Sequence, residues 1–285
     1  MSVHLEAIKS SPSIRRDSQR LQRPYFRNGP NHRAGADVSF GDIVKIFDFQ
    51  RIKIGRWVSA AELQIAANLF FDALCDLQLL LQVPAQVISL NGTLALSFGI
   101  GGRPGSCAFY QPAGRLLALA KNAGGGSLAH EWFHAFDHYI AAKMFENIGS
   151  RHSFASKLWL QQSALRPHPL NALLNRAFSL LYLDSSGQQQ SEFFKICRDH
   201  DHKSSQLYYA MPEEMAARAF EHMLQQQPLQ NSFLVSGCLT GPAAKAGLYP
   251  NAELSGNLTQ CWLEYFFTLG QLLQHKQLAE RTKDT

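Results

Sequence analysis

Apolar positions along this chain change period several times, and each change marks an element. The run from Leu63 to Leu81 keeps apolar residues at helical spacing, with Ser59 and Glu62 ahead of it as a capping box and Val83-Pro84 behind it as a stop. A helix is therefore predicted over about 60–82. Two short apolar runs follow, Val87 to Leu90 and Leu94 to Phe98, on either side of Asn91-Gly92. That dipeptide suits a tight turn, so the pair reads as a hairpin. A second pair of strands is expected at Cys107 to Tyr110 and Arg115 to Ala120, separated by the turn residues Gln111-Pro112-Ala113-Gly114.

Beyond Asn122-Ala123-Gly124-Gly125-Gly126 the period becomes helical. Helices are predicted from Ser127 to Phe145, Phe154 to Leu165, Asn171 to Leu183, Ser191 to Arg198, Pro212 to Gln227 and Asn257 to Ala279, with Asp184 to Gln190 as a loop. Residues 1–36 carry little apolar periodicity and read as a basic, flexible or loosely docked arm, the body beginning near Val38. The fold class expected is α+β: a mixed α/β lobe over about 37–146 with a small sheet, then a mainly helical lobe over about 147–285.

At 285 residues and 46% hydrophobic, the chain can bury a sizeable core. No uninterrupted apolar run reaches the roughly 18 to 20 residues of a membrane span, and the N-terminus is polar and basic, so a cytoplasmic protein is expected. The five cysteines are odd in number and never spaced Cys-x-x-Cys, which argues against a disulfide framework or a thiolate zinc site. A net charge of +5, with Arg15, Arg16, Arg20, Arg23, Arg27 and Arg33 crowded near the start, raises nucleic acid or an acidic protein as a partner of the arm.

The chemistry concentrates in His130-Glu131-Trp132-Phe133-His134. Residues four apart on a helix differ by about 40° in azimuth and one turn in height, so both imidazoles can reach one metal ion. Glu131 is then placed to take a proton from a water whose pKa zinc lowers to about 7. His138 extends the series, but it stands about 12 Å from His130 along a straight helix, too far for one ion. Asp137 is a candidate partner to a ligand histidine, or a surface or capping carboxylate.

A third ligand has to come from elsewhere, and the segment Pro212 to Glu221 offers carboxylates. Pro212 suits a first helical turn, and Glu214, Arg218 and Glu221 share one face, so one carboxylate can reach the ion while the others form a supporting network. Glu214 with Arg218 is equally an ordinary i,i+4 pair. Tyr208, Tyr209, His200 and His202 are candidates to stabilise an oxyanion. The strand Arg115 to Ala120 is either core or an edge for an extended peptide. The loop Gly99 to Gly105 leads into a strand rather than a helix, so it reads as a hairpin or cleft lip and not as a phosphate cradle.

Several segments share a family vocabulary: Ser97-Phe98-Gly99, Tyr110-x-Pro112, Leu117 to Lys121, Ala123 to Tyr139 with the histidine motif, and Pro212-x-Glu214-Met215-x-Ala217-Arg218-Ala219-Phe220-Glu221. Over about residues 23–270 the chain resembles the bacterial CLCA_X family of zinc metallopeptidases, and its metal segment is similar to the metallopeptidase-like domain of large polyvalent phage and plasmid proteins. The resemblance implies a zincin-like fold with one Zn2+ per chain on His130, His134 and a downstream glutamate, but it supplies no substrate; a peptide or protein substrate is expected from the chemistry of the histidine–glutamate motif. The resemblance favours Glu214 over Glu213 and Glu221. Similar sequences often carry His-Tyr where this chain has Phe109-Tyr110.

Overall fold

The computed structural model describes residues 24–100, 108–120 and 125–281. In order along the chain come helix α1 (Phe40–Phe47), strand β1 (Arg51–Ile54), helices α2 (Ala60–Leu81) and α3 (Ala85–Ile88), and strands β2 (Ala95–Phe98), β3 (Ala108–Gln111) and β4 (Leu116–Leu119). Helices α4 (Leu128–Met144), α5 (Ala155–Leu160), α6 (Pro169–Tyr182), α7 (Glu192–Ser204), α8 (Pro212–Gln225), α9 (Pro242–Lys245) and α10 (Ala252–Arg281) follow. The architecture is mixed α+β: a small four-stranded sheet with helices α1 to α3 before and between its strands, followed by helices α4 to α10.

The sheet order is β1-β2-β4-β3. β2 is parallel to β1 and to β4, while β3 is antiparallel to β4, with Tyr110 opposite Leu117. The second predicted strand pair therefore forms, closed by a 3-10 turn at Pro112–Gly114 with Arg115 at φ 44°. The predicted hairpin around Asn91-Gly92 does not. Val87 and Ile88 lie in α3, and three successive positive φ angles at Leu90, Asn91 and Gly92 turn the chain away into β2, which pairs with β1 and β4 instead. A short apolar run has no period of its own, so packing decided its state.

The capping box of Ser59 and Glu62 opens α2 as the pattern requires. By length and composition alone α2 could cross a membrane. Here its apolar side chains enter the core, and Asp72 and Asp76 on it hold the N-terminal segment. Asp76 is fully buried and accepts Arg27 at 2.6 Å, His32 at 2.8 Å and Asn231 at 2.7 Å. Arg33 pairs with Asp72 at 3.1 Å, and the Gly125 N–H donates to the Tyr25 hydroxyl at 2.9 Å. Residues 24–36 are thus docked, and the body extends further toward the N-terminus than Val38. Arg15, Arg16, Arg20 and Arg23 lie outside the described residues, as do Gly101 to Gly105 of the glycine loop and Cys107. Cys75, Cys197, Cys238 and Cys261 are free thiols.

Helix α4 is buried on most of its circumference, against β3, β4, α5 and α8. Trp132, Phe133 and Phe136 from α4, Phe220 from α8, and Trp262 and Phe266 from α10 form one aromatic core, with the Phe133 and Phe220 rings 4.7 Å apart. The α4 entry needs its glycines. A Cβ on Gly126, at φ 111°, would stand 2.0 Å from Ser236 Oγ, and one on Gly125 would stand 2.5 Å from Phe233 Cα. Without side chains, Gly126 exchanges backbone hydrogen bonds with Phe233 and Ser236, and Ala129 N–H donates to Leu234. This close approach sets where the histidine helix starts.

Candidate metal centre

Packing of α4 on α8 brings together three side chains from positions 84 residues apart in the chain. His130 Nε2 lies 3.0 Å from His134 Nε2 and 3.2 Å from Glu214 Oε2, and His134 Nε2 lies 3.4 Å from Glu214 Oε1. Bonds of about 2.05 Å to a tetrahedral zinc put neighbouring ligand atoms about 3.3 Å apart, close to the spacing between the two histidine nitrogens and from each of them to one or the other Glu214 oxygen, and one ligand atom from each residue lies within 4.8 Å of the others. The donor set, two imidazole nitrogens and a carboxylate, is one that zinc accepts. The residues present fit the ion.

The His130 ring is oriented from behind. Its Nδ1 stands 3.3 Å from Glu221 Oε1, which also accepts the Tyr249 hydroxyl at 2.9 Å. A carboxylate there keeps a proton on Nδ1, so Nε2, on the side of Glu214 and His134, is the nitrogen that would meet a metal ion. His134 has no equivalent: its buried Nδ1 has no hydrogen-bond partner among the described residues.

The electrostatics favour a cation. Burial opposes charge on His130, but Glu221 and Glu214 together pull its pKa up to about 10. Burial would raise Glu214, yet both histidines hold it well below the ordinary carboxylate range. Glu131 is raised by its own burial, against the pull of His130 and His134, and the Tyr110 backbone interacts favourably with its carboxylate. A carboxylate that binds its proton more tightly than usual is a better proton acceptor near neutrality.

Other candidates go to different tasks. Asp137 is fully buried and accepts the Ser156 N–H at 2.9 Å and hydroxyl at 2.6 Å, so it caps α5 and makes no hydrogen bond to His134. Arg218 forms no pair with Glu214; its guanidinium grips the Tyr209 and Leu248 carbonyls and lies 4.9 Å over the Tyr209 ring. Tyr209 is held there, with the His200 ring 4.8 Å from its own. Asp201 accepts the backbone N–H groups of Tyr208, Tyr209 and Ala210, and Tyr182 donates to the Pro212 carbonyl at 2.9 Å. These bonds fix the turn that delivers Glu214 on the first turn of α8.

At the rim it is Tyr208, not Tyr209, that meets the site: burial and the charge of Glu214 push its phenol pKa up, although the residue is 41% exposed. His138 is not in the cluster. Its Nδ1 accepts the Tyr110 hydroxyl at 2.6 Å and its Nε2 donates to the Arg151 carbonyl at 2.7 Å. Tyr249 had no signal in the sequence, because the Gly247-Leu248-Tyr249-Pro250 stretch has neither period nor motif.

Residues 200–273 match the family model described as large polyvalent protein-associated domain 1, which links this part of the chain to large polyvalent proteins. The matched span carries Glu214, Glu221 and Tyr249 and lies wholly C-terminal to the histidine motif. No curated protein and no solved structure matches the chain.

Proposed function

We propose that this chain is a zinc-dependent, zincin-like hydrolase of peptide bonds, in which His130, His134 and Glu214 hold one ion and Glu131 moves the proton. The observation that carries this reading is the 3.0, 3.2 and 3.4 Å spacing of the three donor groups. When bound, zinc supplies Lewis acidity and a water whose pKa it lowers to about 7. Glu131, with its raised pKa, accepts the proton of the attacking water on its carboxylate and returns it to the leaving amine. Glu221 keeps the His130 Nδ1 proton in place throughout. The Tyr208 hydroxyl, beside Glu214 at the open rim, donates to the oxygen where negative charge develops.

The reading also needs a place for an extended peptide. β4 does not offer it, because β4 lies between β2 and β3. Among the described residues β1 and β3 are the edge strands, and it is β3 whose Tyr110 backbone already interacts with Glu131. An extended chain pairing with β3 would lie beside the general base. The resemblance to the CLCA_X metallopeptidases supports the same chemistry.

Elemental mass spectrometry of protein purified without added metal tests the centre. Near one zinc per chain in the wild type, lost in His130→Ala and Glu214→Gln, is the expected result. A wild-type chain that takes up no zinc even on titration overturns the reading. Hydrolysis of a mixed peptide library, monitored by mass spectrometry and abolished in Glu131→Gln, tests the reaction itself.

A further inference from the structure

We propose that a cationic pocket beside the metal centre is a subsite for a carboxylate carried by the peptide substrate. This deepens the hydrolase reading and rests on it. The pocket, about 390 Å³, is lined among others by Arg51 at the start of β1, Arg115 in the β3–β4 turn, Arg151 and His152 after α4, and His138 on α4.

Its charge is not neutralised from within. No ion pair among the described residues includes Arg51, Arg115 or Arg151. Arg51 reaches only the Gln50 side-chain carbonyl at 2.8 Å, and Arg151 only the His152 ring at 3.4 Å. By contrast, Arg27 and Arg33 bind aspartates and Arg218 binds two carbonyls. Three guanidinium groups left without a carboxylate around one concavity leave a strong positive field there, and guanidinium forks match carboxylate oxygens in geometry.

The pocket is also positioned. The Tyr110 hydroxyl and the Arg151 carbonyl hold His138 from both sides, which ties the loop carrying Arg151 and His152 to β3. The Phe154 ring lies 5.8 Å from His138 and 6.0 Å from the metal-centre His134. Arg115 closes the turn at the end of β3, the edge proposed to pair with a peptide. A peptide on β3 would therefore run out of strand at the arginines, one helical turn from the metal centre. A carboxylate there comes either from an acidic side chain or from the peptide's own C-terminus. Nucleic acid is the weaker match, because its single strands call for an extended groove with aromatic platforms and this pocket is compact.

Fluorescence anisotropy on the Glu131→Gln protein, which cannot consume its probe, tests the subsite. Short dye-labelled peptides with glutamates or with glutamines at the same positions, each as free acid and as C-terminal amide, would be compared with a single-stranded oligonucleotide at low salt. Either the glutamate peptides should bind at least about tenfold tighter than their glutamine counterparts, or the free acids than their amides, an advantage removed in Arg51→Gln/Arg115→Gln/Arg151→Gln and partly kept in the triple lysine variant. If only the free acids gain, the terminal carboxylate is the ligand; if the glutamate amide gains as well, the side chain is. Among the described residues the three side chains make no hydrogen bond or ion pair beyond those with Gln50 and His152, so circular dichroism of the variant should match the wild type. Equal binding of all four peptides, or an advantage that survives the triple glutamine variant, overturns the proposal. So does an oligonucleotide that binds tighter than every peptide through the same arginines. Binding as expected with no cleavage of any peptide by the wild type would sink the hydrolase reading alone.

Discussion

Glu221 Oε1 lies 3.3 Å from His130 Nδ1, on the side of the ring opposite Glu214. His130 is thus held between two carboxylates seven residues apart on one helix, one able to meet a metal and one set to orient the ring. Glu221→Gln should weaken zinc affinity by about 10- to 100-fold while leaving the chain folded. Tyr249→Phe, which removes only the hydroxyl donor to Glu221, should have a smaller effect in the same direction. Competition against a fluorescent zinc chelator measures both, and unchanged affinity in Glu221→Gln would remove it from the centre.

The roles of the two neighbouring glutamates separate cleanly. Glu131→Gln should keep near-stoichiometric zinc and lose about 10²- to 10⁴-fold in peptide turnover, the usual worth of a positioned acid–base group. Glu214→Gln should lose zinc first. Parallel metal analysis and turnover assays would show the reverse pattern if the assignments were exchanged.

Metal-free protein should have a particular pH dependence. The His130 pKa is raised from 6.5 to about 10 in the fold, so its contribution to stability is complete below the unfolded value and fades as pH rises through about 10. Zinc bound at His130 would replace that proton as the positive charge between Glu214 and Glu221. The rise in melting temperature on adding zinc should therefore grow between pH 6.5 and 10. A zinc-induced shift that stays constant over this window in differential scanning fluorimetry would contradict the account.

Asp76 carries a purely structural prediction. It is fully buried and accepts Arg27, His32 and Asn231 together. Asp76→Ala would strand the buried end of that network and should cost about 3–5 kcal/mol, because a buried pair broken on one side leaves uncompensated polar groups. Urea unfolding should show the loss, with zinc content per folded chain unchanged.

The sequence by itself determined the parts that depend on neighbours close along the chain. The capping box at Ser59 and Glu62, the turn between β3 and β4, and the two imidazoles one turn apart on α4 all follow from local geometry, as does the placing of Glu131 beside them. Glu214 was within view as one of several carboxylates on a single helix face. The resemblance favoured it over Glu213 and Glu221, and its approach to the two histidines depends on how α8 lies against α4, which the contact of Phe133 with Phe220 and the grip of Arg218 on the preceding turn decide. Only the tertiary structure assigned Asp137 to a helix cap, Tyr249 to Glu221, β3 rather than β4 to the sheet edge, and Val87 to a helix. The physical reason is common to all four. A side chain's partner across space, and the state of a short apolar run, depend on which surfaces meet when the core closes, and no periodicity within a single segment encodes that meeting.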